Sequence, residues 1–232
     1  MITCPVRFRE NWIITGDAAS FFFPKNSPWT SLTEVRLNDA SGKSAGNIDL
    51  VLVSYDDSGA ITDFGALEIQ AVYISGNVRD SFEYFIKNAA ESSITTWPDQ
   101  ANNPRPDFLS SSRKRLAPQL LFKGGILHSW KKKIAIVLNK AFFDTLPVLP
   151  SVAKEEADIA WLVYDLELLG KSNRAQYKLR KVDEVYTQFE PALQSITMPT
   201  PGDMSDFVKS LQVRLDKRLA TPPINKTLDS PF

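Results

Sequence analysis

Asp49 and the triplet Glu68-Ile69-Gln70 are the residues of this chain best suited to chemistry. They lie on two apolar runs, 47–53 and 64–73, separated by the polar turn Ser-Tyr-Asp-Asp-Ser-Gly at 54–59. Paired as antiparallel strands, the runs bring Asp49 and Glu68 together at one sheet edge. Side chains alternate along a strand, so Glu68 and Gln70 share a face. Two carboxylates and an amide on one face make a hard-oxygen site of the kind Mg2+ takes. The backbone carbonyl of Ile69 is a candidate third metal ligand. Glu34 is an additional candidate catalytic carboxylate, and Tyr73 a further candidate near the site.

Such a site suits phosphodiester hydrolysis, which needs a nucleophilic water, neutralisation of phosphate charge and a stabilised leaving group. A divalent cation between carboxylates can supply all three. Gln70 takes up no proton near neutral pH, so its part is limited to orienting a water or an oxygen. The competing reading is a hairpin with two exposed carboxylates near its turns. Charged residues inside otherwise apolar strands argue against it, because burying a carboxylate is costly without a metal or a partner.

The charge distribution points to a polyanion. The net charge is zero, yet the stretch from Arg105 to Lys133 holds eight Lys and Arg residues against the single Asp107. A local basic segment in an otherwise acidic chain suggests a nucleic-acid surface. A solvated charged helix face is the alternative. Ser41-Gly42-Lys43-Ser44 lacks the spacing of a phosphate-binding loop and precedes no helix, which discards nucleoside triphosphate binding. The single cysteine, Cys4, allows neither an internal disulfide nor a thiolate metal site. No apolar run approaches the roughly 20 residues of a membrane span, and the first residues lack the apolar stretch of a signal peptide. A cytoplasmic location with no membrane partner is expected.

At 232 residues the chain can hold one substantial core. Residues 1–28 read as a strand or irregular wrap, and 29–40 fit neither period. After the hairpin, 77–91 read as a helix. Asp107 is placed to cap a further helix to about Phe122, kinked at Pro118 and ended by Gly124-Gly125. Residues 133–139 read as a buried strand, 141–145 as a short helix, and 157–169 and 176–186 as strands. Residues 204–219 read as an amphipathic helix with Phe207, Val208, Leu211 and Leu215 on one side. This order predicts an α/β fold, a mixed sheet flanked by helices. It spans one domain, 1–219, with the hairpin at 46–76, the basic segment at 105–133 and a mobile tail at 220–232.

Long strings of this chain resemble the NotI-type restriction endonucleases, of the PD-(D/E)xK nuclease superfamily. They are Ile2–Glu10, Trp29–Leu37, Gly46–Val53, Leu67–Gly76 and Arg105–Pro118, and the resemblance covers roughly residues 1–150. It implies a restriction endonuclease-like core and a Mg2+-dependent, homodimeric type II enzyme. Such an enzyme cuts both strands of double-stranded DNA at a GC-rich palindrome and works beside a cognate DNA methyltransferase. Asp49, Glu68 and Gln70 fall on the implied catalytic positions, with Gln where lysine is usual. Ser110, Ser111, Ser112, Arg113, Lys114, Arg115, Gln119 and Lys123 become DNA-contact candidates, since arginine reads guanine bidentately and the others add base or phosphate contacts. The resemblance also implies an N-terminal four-cysteine iron segment, of which only Cys4 is present; the chain is expected either to start inside a longer reading frame or to lack that module. Of two rivals, a DNA-binding module without catalysis predicts salt-sensitive binding and no cleavage. A metal-free interaction domain predicts that the basic residues of 105–133 scatter away from Asp49 and Glu68. His128, the only histidine, reads as a packed or DNA-proximal residue.

Overall fold

The computed structural model describes residues 2–87, 104–169 and 176–220. The chain divides into two compact units, Met1–Thr197 and Met198–Phe232. In the first, the opening residues differ from the expected strand or wrap. Pro5–Trp12 form a 3-10 segment kinked at Glu10 and Asn11, and Ile13–Phe22 form helix α1. Ile14, Ala18, Ala19, Phe21 and Phe22 of α1 are all buried. They lie on one side of the helix, with Gly16 and Ser20 exposed on the other; the breaker-like run Phe21-Phe22-Phe23-Pro24 at its end hid the period.

The expected hairpin forms. Strands β1 (Trp29–Asn38), β2 (Ser44–Tyr55) and β3 (Ile61–Gln70) run antiparallel, with Leu50 opposite Leu67 and Val53 opposite Phe64. The β2–β3 turn is held by Asp56, whose Oδ1 accepts the N–H groups of Ser58 and Ala60 at 2.9 and 3.0 Å. β3 stops at Gln70, short of the expected Tyr73. A two-stranded pair follows, β4 (Ile74–Ser75) with β5 (Arg105–Pro106), and between them lies helix α2 (Val78–Lys87). The expected continuation of α2 to residue 91 lies outside the described residues.

Next comes a continuous helix, α3, covering 108–129 in alternating α and π turns. Asp107 caps it as expected, its Oδ1 accepting the Ser110 N–H at 2.8 Å. Two wide turns are closed by the N–H of Ala117 on the Ser112 carbonyl and of Gly125 on the Leu120 carbonyl. The first precedes Pro118, which lacks an N–H and whose ring crowds the carbonyl one turn back; a widened turn accommodates it. Gly124-Gly125 do not end the helix. A Cβ on Gly124 would lie 2.7 Å from Phe189 Cε2, so this glycine serves close packing.

Strand β6 (Ile134–Asn139), helix α4 (Lys140–Phe143), strands β7 (Ile159–Leu169) and β8 (Gln176–Thr187) and helix α5 (Phe189–Thr197) complete the unit. α5 was not anticipated. Pro191 reads as a breaker but sits in the first helical turn, where proline is tolerated. The six-stranded sheet has the order β1-β2-β3-β6-β7-β8. β3, β6 and β7 are parallel neighbours and the other pairs are antiparallel. A parallel pair requires a crossover, and the β3–β6 crossover carries α3 across one sheet face.

Each face buries its own core. On one, α1 packs with Phe8, Leu50, Leu52, Leu67, Val137, Leu162 and Tyr164. Tyr164 is fully buried and its hydroxyl donates to Asp17 Oδ2 at 2.5 Å. On the other, Leu116, Leu120 and Leu127 of α3 and Phe189 of α5 pack with Val51, Ala66, Ile136 and Trp161. The chain is thus mixed α/β, a six-stranded mixed sheet flanked by helices, compatible with a restriction endonuclease-like core.

The second unit contains the expected amphipathic helix, α6 (Met204–Ala220). Its Phe207, Val208, Leu211 and Leu215 are exposed. From residue 221 the expected tail lies outside the described residues. Among those described, no helix is long and apolar enough to cross a membrane.

Candidate active site

The β2–β3 ladder ends at the pair Leu50 and Leu67. One step further, Asp49 stands opposite Glu68, and the Ile69 N–H donates to Asp49 Oδ2 at 2.7 Å. On the neighbouring strand Glu34 lies between the pairs Thr33–Leu50 and Val35–Ile48, which puts it opposite Asp49. Its φ of 53° interrupts the regular extended strand. Three carboxylates therefore form a row across β1, β2 and β3. The row does not lie at an outer sheet edge, as the hairpin alone suggested: β3 is an interior strand, and the site opens where β3 ends at Gln70.

Glu68 and Gln70 share the β3 face covered by α3, and both are buried. Each meets one residue of that helix. The Gln70 amide donates to Gln119 Oε1. Lys123 Nζ donates to Glu68 Oε2 at 2.7 Å and to the Asn47 carbonyl at 2.8 Å, and lies 2.6 Å from Glu68 Oε1. That last contact is between charges: Oε1 is buried and receives no directed hydrogen bond. Lys123 is only 5% exposed and is the one buried Lys or Arg among the described residues. Leu116, Leu120, Leu127, Ile134 and Ile136 close around this seam.

Burial dominates the electrostatics. It pushes the Glu68 carboxyl up to about 7, against the pull of Lys123, and Asp49 and Glu34 push in the same direction as burial. Asp49 is also raised, first by burial; the Ile69 N–H and Lys123 counter the rise, and Glu34 adds to it.

Beside the seam lies an open cleft of about 510 Å³, lined among others by Arg9, Glu34, Asp49, Gln70, Tyr73 and Arg115. Arg9 brings a guanidinium beside Asp49, and its buried Nε has no hydrogen-bond partner. Arg115 stacks its guanidinium 5.0 Å from the centre of the Tyr73 ring.

The remaining expected DNA contacts divide. Arg113 and Lys114 are exposed and Ser112 half-buried. Ser111 is buried, its hydroxyl accepting the Tyr73 N–H and donating to the Asp107 carbonyl, each at 2.8 Å. Ser110 donates to Asp107 Oδ2. Ser111 and Lys123 are therefore engaged inside the protein and do not join an exposed contact surface. Gln119 faces Gln70 at the boundary between seam and cleft. Two other cations of the basic segment lie elsewhere, Lys132 paired with Asp63 at 2.6 Å and Lys133 over the Phe21 ring. Arg115, in contrast, lines the cleft with Asp49, and Lys123 pairs with Glu68, so the segment does not scatter as a metal-free interaction domain would have it. His128 stacks on Phe189 and faces Asp158, which is the packed one of its two expected roles, packed or DNA-proximal.

Sequence reading missed the place of Lys123 and the contribution of Arg9. Lys123 had a visible signal, since it interrupts the apolar helical stripe of Leu116, Leu120 and Leu127. Arg9 sits in an irregular segment with no period to read.

The donors fit a hard divalent cation. Among the described residues no cluster of three or more His, Cys, Asp or Glu side chains is close enough to hold a metal. Asp49 and Glu68 would be the carboxylate ligands, with a backbone carbonyl and waters completing the shell, as suits Mg2+. Glu68 Oε1, which meets the Lys123 ammonium at 2.6 Å without a directed hydrogen bond, is the buried oxygen that a cation would contact.

No curated protein matches the chain. The family model described as Restriction endonuclease NotI matches residues 1–179, which include the whole seam and cleft. The chain belongs to the NotI family of restriction endonucleases, nucleases that act on DNA.

Proposed function

We propose that this chain is a type II restriction endonuclease that hydrolyses both strands of a GC-rich palindrome, as a Mg2+-dependent homodimer paired with a cognate DNA methyltransferase in the cell. The observation that carries the reading is the cross-strand pair Asp49–Glu68, set beside a cleft that holds Arg9 and Arg115. Asp49, Glu68 and the Ile69 carbonyl are the residues that would hold Mg2+. When bound, Mg2+ supplies Lewis-acid contact to the phosphate and lowers the pKa of water. Gln70, pinned by Gln119, orients a water or a phosphate oxygen through its remaining amide groups. Glu34 adds negative charge to the row and strengthens its demand for a cation. Arg9 and Arg115 receive phosphates in the cleft, and Arg113 and Lys114 extend that contact along the duplex.

The test is digestion of phage-sized duplex DNA by the purified protein with Mg2+ and with EDTA. Discrete fragments with Mg2+ alone are expected, and sequencing their ends gives the site and its symmetry. A smear, or fragments that persist in EDTA, would sink the reading. One observation favours a second reading, a DNA-binding relative that does not cut: the Glu68–Lys123 ion pair satisfies much of Glu68 without a metal. It predicts salt-sensitive duplex binding and intact DNA under every divalent cation.

A further inference from the structure

Among the described residues the catalytic reading leaves one buried charged group unused, the ammonium of Lys123. It lies within 2.6–2.7 Å of both oxygens of Glu68 and bonds the Asn47 carbonyl of β2. One cation thus ties together the helix, the strand that carries Glu68 and the strand that carries Asp49.

Stability gives a poor reason for such an arrangement. Taking an ammonium and a carboxylate out of water is expensive, and buried ion pairs are often replaced by apolar residues of similar size without loss of stability. The surroundings of Lys123 would accept that replacement, since Leu116, Leu120, Leu127, Ile134 and Ile136 line the seam. A second fact concerns the helix as a whole. Gln119 and Lys123 lie four residues apart on the α3 face that meets β3, and they engage Gln70 and Glu68 respectively. α3 therefore meets both polar side chains that β3 offers on that face. A third concerns charge. The acidic row of Glu34, Asp49 and Glu68 has Gln70 as its neutral neighbour on β3, and a phosphate approaching the row adds further negative charge.

We propose that Lys123 is a positioning residue for cleavage: from α3 it holds the Glu68 carboxylate in place and supplies the fixed positive charge that Gln70 does not. This rests on the nuclease reading above. It acts through Glu68, and its charge lies on the same strand face as the side chain of residue 70. A lysine at position 70 would bring an ammonium to that face, two residues from Glu68.

The experiment compares the wild type with Lys123→Met, Lys123→Arg, Gln70→Lys and the double variant Lys123→Met/Gln70→Lys. Three quantities are read: the single-turnover cleavage rate on a duplex carrying the site mapped by wild-type digestion, the Kd for that duplex in Ca2+, and the thermal midpoint. Lys123→Met is expected to lose about 100-fold in rate, the scale of deleting one preorganised electrostatic group. Its Kd should stay within about threefold, while its thermal midpoint should fall, because one partner of a buried pair is removed. Lys123→Arg should retain more rate than Lys123→Met, and Gln70→Lys should recover at least about tenfold in the Lys123→Met background. A purely structural lysine would lower the midpoint as far but leave the folded variant cutting at close to the wild-type rate, and a lysine at position 70 would then restore no rate. If Lys123→Met does not fold, Lys123→Gln, which keeps a donor toward Glu68 and loses the charge, carries the same test. Wild-type-like cleavage by a neutral variant, or a folded and DNA-binding double variant without recovery, overturns the inference and leaves the nuclease reading standing. A wild type that never cuts overturns the nuclease reading, and this role with it.

Discussion

β3 borders two regions that touch and differ in chemistry. In the seam against α3, the polar side chains of β3 are met one for one, Glu68 by Lys123 and Gln70 by Gln119, among leucines and isoleucines. In the neighbouring cleft, Arg9 has an unbonded buried Nε, Arg115 rests on Tyr73 and Asp49 is half-buried. Paired charges at low dielectric hold one another's geometry firmly. Unpaired cations lining an open cleft attract a polyanion. On the proposed reading the seam therefore sets the position of Glu68, and the cleft receives the phosphate. Asp49 links the two regions, bonded to the Ile69 N–H and facing the cleft.

The largest expected effect comes from breaking that link. Asp49→Ala should lower the cleavage rate by at least about 10³-fold, equivalent to about 4 kcal/mol of barrier, while duplex binding in Ca2+ persists. Glu68→Ala should match it in rate but differ in stability, because it strands the Lys123 ammonium in the seam. Removing one partner of a buried pair costs about 3–5 kcal/mol. Cleavage at the wild-type rate by either variant would remove that carboxylate from the site.

The cleft is tested next, with a smaller effect. Arg9→Gln and Arg115→Gln should each weaken duplex binding about tenfold and reduce the slope of log K against log salt by about one. The weakening should be uniform across sequences. An unchanged slope for Arg9→Gln would mean that its guanidinium touches no phosphate. A loss confined to the cleavage site would reassign the residue to base reading.

The pH dependence separates the regions again. A cation needs Glu68 ionised, and burial has raised that group to about 7. Divalent-cation affinity, followed by calorimetry, should therefore strengthen as pH rises through 7, with protons taken up on the return. For the metal-free protein the sign is opposite. A carboxyl whose folded pKa is raised favours the folded state at low pH, and that contribution fades from about 4.5 to about 7. The thermal shift produced by Mg2+ should accordingly grow across the same window, and a pH-independent shift would remove Glu68 from the cation site.

Legibility in the sequence followed the same division. The β2–β3 hairpin, β6, β7 and the shared face of Glu68 and Gln70 could be read directly, because alternation and apolar runs are local signals. Asp49 and Glu68 could be paired because the turn between their strands is short. The seam could not be completed that way. Lys123 lies 55 residues from Glu68, so the contact depends on how the β3–β6 crossover lays α3 over the sheet, which no local period encodes. α1 was hidden by the breaker-like run Phe21-Phe22-Phe23-Pro24 at its end, and the same limit of range turned Ser111 and Lys123 from apparent DNA contacts into interior ones. Gly124 looked like a stop because its packing partner, Phe189, is remote in sequence.

The opposite face of β3 provides the smallest expected effect on chemistry and the control for the others. Gly65 lies on the α1 side, and a Cβ there would come within 2.5 Å of the Phe22 ring. α1 could accommodate Gly65→Ala only by moving that ring, a strain of about 1–3 kcal/mol in a packed core. Thermal unfolding should register the loss, and Phe22→Leu in the same chain should recover part of it by making room. Glu68 and Gln70 point to the other face, so the folded Gly65→Ala enzyme should bind duplex with the wild-type salt slope and cut at close to the wild-type rate. If cleavage fell along with stability, the position of Glu68 would depend on both faces of the strand, and the seam with α3 would no longer suffice to explain it.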